Sequence, residues 1–378
     1  MKEKILITGG AGFIGSHLTQ SLVNKNYDVT IIDNLSEQIH GDYRKSSLYK
    51  KVENISNFIH ADIRSKSELT EAVNGCDIIV HLASETGTGQ SMYNMEKYVD
   101  VNLRGTALLG DILVNDRSRK IKKIILASSR AVYGEGKYSC PDHKYVYPSL
   151  RTELNLLKKD FNIKCPFCNR NVSSVPTDEQ SQTNPISIYG ITKLCQEQIL
   201  ASTASTLKIP ISILRFQNVY GPGQSLSNAY TGILSIFSNQ ILRGKSINIF
   251  EDGKESRDFV YIDDVIKSLE YVIEKNISGN NVFNVGSGIA TSVIDMANIL
   301  IKKYKIDVEL NISGNFRLGD IRNNFADISK IRKSLDFHPQ ITLEEGISRF
   351  TNWVQGEALT VDNYELSLRE MENAGILK

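Results

Sequence analysis

The sequence lacks the features that mark nucleic-acid-binding and membrane-spanning proteins. Its 378 residues carry 44 Lys and Arg against 43 Asp and Glu, a net charge of +1, and no basic tract stands out. Recognition of a phosphate backbone is therefore not expected. A run of about 18 apolar residues is also missing, and the chain opens on a strand-like segment instead of a signal peptide. We expect a cytoplasmic protein with two closely joined lobes and with neither nucleic-acid nor membrane partners.

Cysteine is scarce as well, and its odd count of five argues against a disulfide framework. Cys76 and Cys195 fall in a strand-edge and a helical pattern, where a reduced, buried thiol is the ordinary state. The other three belong to two short motifs, Cys140-Pro-Asp-His143 and Cys165-Pro-Phe-Cys168. Three thiolates and one imidazole in two pairs make a tetrahedral ligand set for a structural zinc ion. The alternative is an exposed loop whose cysteines have no common role.

A glycine-rich loop, Thr8 to Gly15, is the feature around which the rest is organised. It follows the apolar run Lys4 to Ile7 and opens the helical stretch Ser16 to Val23. Glycine permits a sharp turn, close approach to a pyrophosphate and tight packing of helix on strand. The free amides of the helix N-terminus attract the negative charge. A dinucleotide is the expected ligand, and an ordinary helix-start turn is the alternative.

An acidic residue at the end of the next strand supports the dinucleotide. Asp33 closes the run Val29 to Ile32, 18 residues past Gly15, where a carboxylate accepts hydrogen bonds from the adenosine ribose. Because it would repel a 2′-phosphate, the sequence predicts NAD and not NADP. Asp62 and Ile63 follow a third strand-like run and are within reach of the adenine.

Strand-like runs alternate with helical patterns along the first two thirds of the chain. Further runs are Asp77 to Ala83, Lys123 to Ser129 and Pro210 to Arg215. Such alternation predicts an α/β fold with a doubly wound parallel sheet whose ligands bind at the carboxyl ends of the strands.

Three residues suggest the reaction chemistry. Ser129 offers a hydroxyl after a strand, and Tyr189 and Lys193 lie four residues apart at the start of a helix, on one face. An ammonium group and an oxidised nicotinamide favour the phenolate of a tyrosine, which then serves as a base near neutral pH. Lys193 is also placed to hold the nicotinamide ribose. On its own the Tyr-x-x-x-Lys spacing is common on exposed helices.

Together these motifs resemble the extended short-chain dehydrogenase/reductases of the NAD-dependent nucleotide-sugar epimerase/dehydratase family, from Ile5 to about Trp353. The resemblance implies a Rossmann-type sheet with a smaller mixed α/β substrate lobe. It implies Ser129, Tyr189 and Lys193 as the catalytic triad, with the last two also touching the cofactor. The other NAD-binding positions are Gly9, Gly12, Phe13, Ile14, Gly15, Asp33, Asn34, Asp62, Ile63, Leu82, Ala83 and Asn102.

The same resemblance implies a nucleotide-diphosphate sugar as substrate, either dTDP- or UDP-linked. Its expected contacts are Ser91, Ser129, Asn218, Arg257 and Arg317. Guanidinium forks suit phosphate oxygens in bidentate geometry, although each arginine alone is also compatible with a surface ion pair. The resemblance further implies a homodimer formed through helices near Asn102 and Tyr189.

The expected division of the chain follows the motifs. Residues 1–219 form the NAD-binding domain, which includes the Cys- and His-containing insertion at 138–178. Residues 220–357 form the nucleotide-sugar lobe, interleaved with the first domain near 257–290. Residues 358–378 are expected to form a helical tail with no evident chemistry.

The two residues after Ser129 favour one reaction of this family over another. Dehydratases of this family carry an Asp-Glu pair there, whereas this chain has Arg130 and Ala131, so 4-epimerisation is favoured. The insertion, the segment Asn228 to Phe237 and the segment Gly319 to Arg322 resemble the subfamily that interconverts dTDP-L-rhamnose and dTDP-6-deoxy-L-talose. Alternatives are a UDP-hexose or UDP-N-acetylhexosamine 4-epimerase, a 4-ketosugar reductase, and a non-enzymatic NAD-sensing regulator.

Overall fold

The computed structural model describes residues 3–116, 118, 120–226, 228, 230, 232–357 and 363–378. Within them the strands are, in chain order, β1 Lys4–Thr8, β2 Asp28–Asp33, β3 Asn57–His60, β4 Ile78–His81, β5 Lys123–Ser129, β6 Tyr138–Cys140, β7 Lys144–Val146, β8 Ser173–Ser174, β9 Ile211–Phe216, β10 Asn218–Tyr220, β11 Ile247–Ile249, β12 Ser256–Tyr261, β13 Asn280–Val285, β14 Ala290–Ser292, β15 Leu310–Ile312 and β16 Asn323–Asn324.

The α-helices in the same residues are α1 Phe13–Asn24, α2 Glu37–His40, α3 Ser47–Lys50, α4 Lys66–Val73, α5 Thr88–Ser91, α6 Met95–Val99, α7 Gly105–Asn115, α8 Glu153–Leu157, α9 Ile188–Leu207, α10 Ile233–Leu242, α11 Ile262–Glu274, α12 Val293–Tyr304, α13 Ser329–Leu335, α14 Leu343–Gly356 and α15 Tyr364–Asn373. A π-helical turn at Asp100–Arg104 joins α6 to α7, and a 3-10 turn at Arg130–Tyr133 follows β5.

Seven strands form one parallel sheet in the order β3-β2-β1-β4-β5-β9-β13. The chain leaves β1 toward β2 and β3 and later returns to its other side with β4, so the direction of winding reverses beside β1. Both faces of β1 are covered, because Ile5 and Ile7 belong to one apolar core and Leu6 to the other. The predicted doubly wound parallel sheet is confirmed, and its reversal point is where ligands of such sheets bind.

Smaller sheets stand beside the main one. β10, β12 and β14 form one, with β16 also paired to β12, while β11 pairs with β15. Strands β7, β6 and β8 form a separate antiparallel sheet inside the insertion. The first two of these sheets, with the helices around them, make the predicted smaller mixed α/β lobe. The division into residues 1–219 and 220–357 stays a prediction, and β13, from beyond residue 219, completes the main sheet.

The end of the chain packs back on the second lobe. Helix α15 covers most of the predicted tail, of which residues 358–362 lie outside the described residues. Backbone hydrogen bonds then join Phe316 to Lys378 and Leu318 to Ile376, on either side of Arg317. Among the helices of the described part of the chain, none is long and apolar enough to cross a membrane.

Candidate active site

The glycine loop lies at the reversal point and is packed without spare room. Gly9 has a φ of +71°, and a Cβ there would lie 2.8 Å from backbone atoms of Ala83. A Cβ on Gly15 would lie 2.3 Å from the carbonyl oxygen of Gly9. Only glycine fits these two positions, which bring the N-terminus of α1 to the carboxyl end of β1. This is the turn that a bound pyrophosphate requires.

Two carboxylates border this loop. Asp33 ends β2, is 8% exposed, and accepts hydrogen bonds from the backbone N–H groups of Ala11 at 3.0 Å and Leu35 at 2.9 Å. Burial raises the pKa of Asp33, and those two hydrogen bonds act in the opposite direction. Asp62 accepts hydrogen bonds from Arg64 and Asn34, which outweigh burial and lower its pKa to about 2.

A cavity of about 420 Å³ runs over the loop and along the strand ends. Apart from Asn102, every residue that the sequence analysis assigned to the cofactor lies on its wall: Gly9, Gly12, Phe13, Ile14, Gly15, Asp33, Asn34, Asp62, Ile63, Leu82, Ala83, Tyr189 and Lys193. A glycine turn, a helix N-terminus and a strand-end carboxylate together fit a dinucleotide.

A second cavity of about 290 Å³ opens on the first. Ser129, Tyr189 and Asn218 line both cavities. Arg257 and Arg317 line only the second cavity, on the walls supplied by β12 and by the segment after β15. The residues assigned to reaction chemistry thus stand at the junction of a dinucleotide-sized space and a second ligand space.

Asp320 neutralises part of the arginine charge in the second cavity. Its carboxylate oxygens lie 2.9 Å from Arg257 Nη2 and 2.6 Å from Arg317 Nη2. These arginines, together with the charges of Arg130 and Arg151, hold the pKa of Asp320 well below its usual range although burial opposes them. Arg257 also donates to the carbonyl oxygens of Ser256, Ile321 and Arg322, so the protein fixes the position of this guanidinium group.

The catalytic trio sits on two rigid elements. Ser129 is the last residue of β5, and its Oγ accepts a hydrogen bond from the N–H of Ala131 at 3.1 Å. Tyr189 and Lys193 are one turn apart in α9 and both line the first cavity, with Lys193 buried and Tyr189 partly exposed. The ring of Tyr98 meets the ring of Tyr189 edge-on, with centroids 6.5 Å apart.

Burial dominates the electrostatics of this trio. It raises the pKa of Tyr189, while a hydrogen bond with Ser129 and the charge of Arg130 lower it. Burial lowers the pKa of Lys193 to about 7, with the charge of Glu197 acting in the opposite direction. The sequence analysis credited Lys193 with favouring the Tyr189 phenolate. In the protein alone, the residues that do so are Ser129 and Arg130.

A buried chain of polar side chains holds Lys193 in position. Its Nζ donates to Gln196 Oε1 at 2.9 Å, and Gln196 Nε2 donates to Thr106 Oγ1 at 2.8 Å. The ring of His81 bridges Thr106 and Thr8, at 3.0 and 2.8 Å. Burial lowers the pKa of His81 to about 3, so this imidazole is neutral near pH 7. The chain ties α9 to the strand that precedes the glycine loop.

Two expected site residues lie behind the walls instead of on them. Asn102 is buried in the π-helical turn, where its side chain binds both backbone groups of Glu85 and donates to Thr192 Oγ1 at 2.9 Å. It supports the wall, because Glu85 lines the first cavity. Ser91 is fully buried and donates to the carbonyl oxygen of Thr88 at 2.7 Å. Thr88 lines the second cavity in its place.

The structure adds wall residues that the sequence analysis did not assign. Arg130, used above only as an argument against dehydration, lines the second cavity, as do Glu251 and Glu255. Helix α15 contributes Tyr364, Ser367, Leu368 and Met371. The expectation that the tail has no evident chemistry is therefore corrected: it forms part of the cavity. An apolar spacing of Leu368 and Met371 on one helical face was the available signal.

The segment from Asn228 to Phe237, in which the residues Ala229 and Thr231 lie outside the described ones, also reaches this cavity. Tyr230, Ile233, Ile236 and Phe237 line it. The sequence analysis compared this segment with its subfamily without deciding between core and cavity wall.

The cysteine and histidine motifs of the insertion come together. The candidate ligand atoms of Cys140, His143, Cys165 and Cys168 all lie within 4.8 Å of one another. Cys140 Sγ is 3.7 Å from Cys168 Sγ and 3.6 Å from His143 Nδ1, which is also 3.6 Å from Cys165 Sγ. A tetrahedral zinc ion with Zn–S bonds of about 2.3 Å sets ligand atoms about 3.8 Å apart. The four residues therefore fit zinc.

Polar bonds connect this cluster to the second cavity. Tyr138, two residues before Cys140, donates to Glu135 at 3.1 Å, and the carboxylate of Glu135 accepts the backbone N–H of Arg322. The side chain of Arg322 in turn binds Glu251, a cavity residue, at 3.0 Å. The insertion thus braces the wall of the second cavity from behind.

Comparison with known proteins identifies the family. The model of the NAD dependent epimerase/dehydratase family matches residues 5–152 and 169–286. The chain belongs to this family. It is an enzyme that uses NAD on a nucleotide sugar.

A dTDP-L-rhamnose 4-epimerase of Burkholderia thailandensis is 38% identical over 94% of this chain and 96% of its own length. A UDP-glucose 4-epimerase of Thermotoga maritima, solved with UDP-glucose, superposes with a TM-score of 0.76 at 28% identity, covering 93% of this chain and 99% of its own. A UDP-glucuronic acid 4-epimerase of Bacillus cereus, solved with UDP-glucuronic acid and NAD, gives 0.74 at 28% identity with the same coverage.

Proposed function

We propose that this enzyme is a 4-epimerase that converts dTDP-L-rhamnose into dTDP-6-deoxy-L-talose. The observation that carries the epimerase chemistry is the common wall of the two cavities, where Ser129 and Tyr189 face both spaces. The choice of sugar nucleotide rests on the 38% identity with the Burkholderia thailandensis enzyme over nearly the whole of both chains.

The reaction begins with removal of the proton from the C4 hydroxyl. Tyr189, as phenolate, accepts this proton while Ser129 Oγ holds the same oxygen. A bound NAD supplies the acceptor for the C4 hydride and later returns it. The C4 oxygen becomes a carbonyl as the sugar loses a hydride from C4, which carries two electrons and one proton, and a second proton from the hydroxyl.

The second half reverses the first on the other face of the sugar. The 4-keto sugar turns over in the second cavity while its nucleotide stays bound, and the hydride returns to the opposite face of C4. Tyr189 then gives its proton back to the C4 oxygen. Since hydride and proton are both restored, no cofactor is consumed.

Binding of the two ligands follows from the walls. Asp33 faces the adenosine ribose and disfavours a 2′-phosphate, while the N-terminus of α1 receives the pyrophosphate. On the substrate side, Arg257 and Arg317 bring positive charge to the diphosphate. Arg257 acts through its charge, because its Nη1 and Nη2 already donate to protein oxygens. Asn218 lines both the cofactor cavity and the substrate cavity.

The substrate assignment is tested by a panel of sugar nucleotides. Purified enzyme is incubated with dTDP-L-rhamnose, UDP-glucose, UDP-N-acetylglucosamine and UDP-glucuronic acid, and the epimers are separated by chromatography. The proposal expects the highest kcat/KM with dTDP-L-rhamnose. A higher value with a UDP-sugar would replace this substrate and leave the 4-epimerase chemistry standing. UDP-sugars are the second candidate, because both structural relatives were solved with one.

A structural zinc ion at Cys140, His143, Cys165 and Cys168 is part of the proposal. Four protein ligands leave no open position for substrate, so the ion stabilises the insertion and takes no part in the reaction. Its effect on substrate binding passes through Glu135 and Arg322 to the cavity wall.

A homodimer is likewise proposed. Helices α6 and α9 pack against each other and leave three apolar side chains at their surface: Met95 is 48% exposed, Val99 45% and Ile191 43%. A second copy of these helices would cover them. Light scattering after size exclusion tests this, with twice the chain mass of 42.3 kDa expected.

A further inference from the structure

Arg130 lines the second cavity together with the reacting groups Ser129 and Tyr189 and the arginines Arg257 and Arg317. It follows Ser129 directly, at the carboxyl end of β5, and its Nε donates a hydrogen bond to Asn218 Oδ1 at 3.0 Å. Strands β5 and β9 are neighbours, with Ser129 paired to Phe216, so this bond spans two adjacent strand ends. The bond directs the guanidinium into the second cavity, which it lines.

The two terminal nitrogens of the Arg130 guanidinium group are available to a ligand. Among the described residues, Nη1 and Nη2 of Arg130 have no hydrogen-bond partner, and its charge forms no ion pair within 4.0 Å. Arg257 and Arg317 differ, since each is paired with Asp320. Burial and the charge of Arg257 lower the pKa of Arg130 to about 10, which still leaves it protonated near pH 7. The charge of Asp320 favours the Arg130 cation without an ion pair between the two groups, so a ligand can complete the contacts of Nη1 and Nη2.

We propose that Arg130 binds the sugar of the substrate, with Nη1 and Nη2 donating to sugar oxygens beside Ser129 and Tyr189. Arg257 and Arg317 bind the diphosphate and Arg130 does not. This inference rests on the proposed function in so far as the ligand is a nucleotide-diphosphate sugar. Under this proposal Arg130 distinguishes one sugar from another, whereas Arg257 and Arg317 recognise the diphosphate that all such substrates share.

A second role follows from the same position. The charged and titratable groups facing Tyr189 are Arg130, Lys193 one turn along α9, and Tyr98 across the rings, with the hydroxyl of Ser129 beside them. Of these, Arg130 supplies the positive charge that favours the phenolate in the protein alone. Its removal should therefore move the acid limb of the kcat profile to higher pH.

Binding measurements on NAD-loaded protein separate sugar from diphosphate. Titration calorimetry compares wild type, Arg130→Gln, Arg130→Lys and Arg257→Gln, first with dTDP and then with the member of the sugar-nucleotide panel that the wild type binds most tightly. Arg349→Gln, an exposed arginine of α14, is the control for loss of one positive charge. NAD content and the unfolding midpoint show that each variant is folded.

We expect Arg130→Gln to weaken binding of the sugar nucleotide by about tenfold to a hundredfold, while the affinity for dTDP stays within about twofold of the wild-type value. Arg257→Gln weakens both ligands. Arg130→Lys keeps the charge, so it restores the acid limb but not the full affinity. Equal losses for dTDP and the sugar nucleotide in Arg130→Gln would overturn the inference, as would no loss in either.

Failure of the proposed function gives a different pattern. If the wild type binds a sugar nucleotide but epimerises none, the 4-epimerase proposal fails, and the comparison of affinities still decides the role of Arg130.

Discussion

The carboxylate of Glu370 in α15 accepts a hydrogen bond from the hydroxyl of Tyr93 at 3.1 Å, across 277 positions of the chain. Tyr230 donates to the same oxygen. Two segments that are distant from the last helix in the sequence therefore hold it in place. Leu368 and Met371 are thereby presented to the substrate cavity.

Shortening an apolar side chain of this helix should weaken substrate binding. We expect Leu368→Ala to raise KM about threefold to thirtyfold with little change in kcat, because apolar contact with the substrate is lost away from the reacting carbon. Leu366→Ala is the matched control, since Leu366 is 57% exposed on the same helix. Steady-state kinetics would contradict the assignment if both variants behaved alike.

Removing the charge of Asp33 should change the cofactor. Asp33→Asn keeps the shape of the side chain but loses its preference for the ribose hydroxyls, so we expect NAD affinity to fall about tenfold or more and NADP to compete better. Asp28→Asn, at the exposed start of the same strand, serves as control. Fluorescence titration of cofactor-free protein measures both dissociation constants. An unchanged NAD to NADP ratio would place the ribose elsewhere.

Glu255 makes stability depend on pH. Its Oε2 is buried without a hydrogen-bond partner among the described residues, and burial followed by the charge of Glu251 raises its pKa from 4.5 to about 7. A raised carboxyl pKa contributes stability that is complete below pH 4.5 and is lost as pH rises to about 7. Glu255→Gln should therefore raise the free energy of unfolding at pH 8 by about 1–3 kcal/mol and leave it almost unchanged at pH 4.5.

Urea unfolding at both pH values tests this expectation. Glu309→Gln, at an exposed position, should show no such difference between pH 4.5 and 8. A Glu255→Gln variant that is less stable than wild type at pH 8 would show that the ion pair of Glu255 Oε1 with Arg322 Nη1, at 4.0 Å, outweighs burial and the repulsion by Glu251.

Loss of one ligand should remove the zinc ion. We expect about one zinc per chain in wild type by mass spectrometry, and much less in Cys168→Ser, with an unfolding midpoint lower by at least about 3 °C. Cys195→Ser, the partly buried cysteine of α9, should keep both its zinc and its midpoint. A raised KM with unchanged kcat in Cys168→Ser would match a bracing role. Wild-type protein that is stripped of metal and keeps the same unfolding midpoint would contradict the zinc site.

The parts of the site that depend on local spacing were predictable. Gly9 and Gly15 lie in one tight turn, and Tyr189 and Lys193 share one helical face, so short-range geometry alone brings them together. The position of Asp33 was predictable because, in this fold, the end of the second strand lies beside the glycine loop. The two zinc-type motifs were recognised by their spacing, and the structure brings their side chains together.

The other features of the site depend on long-range packing, which the sequence pattern does not show. The role of α15 depends on Glu370 reaching Tyr93 and Tyr230, and no local pattern encodes that contact. Arg130 was noticed for the dehydration chemistry it excludes, but its direction into the cavity is set by Asn218 at the start of β10, 88 positions away in the sequence. Asn102 faces Glu85 and Thr192 instead of the cavity, which depends on the rotation of the π-helical turn.

The most direct test of the account is proton NMR of dTDP-L-rhamnose incubated with purified enzyme in deuterated water, without added cofactor. Rhamnose has an axial H4, and inversion makes it equatorial, so both H4 couplings should shrink as product forms. The product should carry protium at C4, because the hydride removed from the sugar is the one returned. An unchanged spectrum from protein that contains NAD would contradict the dTDP-L-rhamnose assignment. Deuterium at C4 would contradict hydride transfer itself.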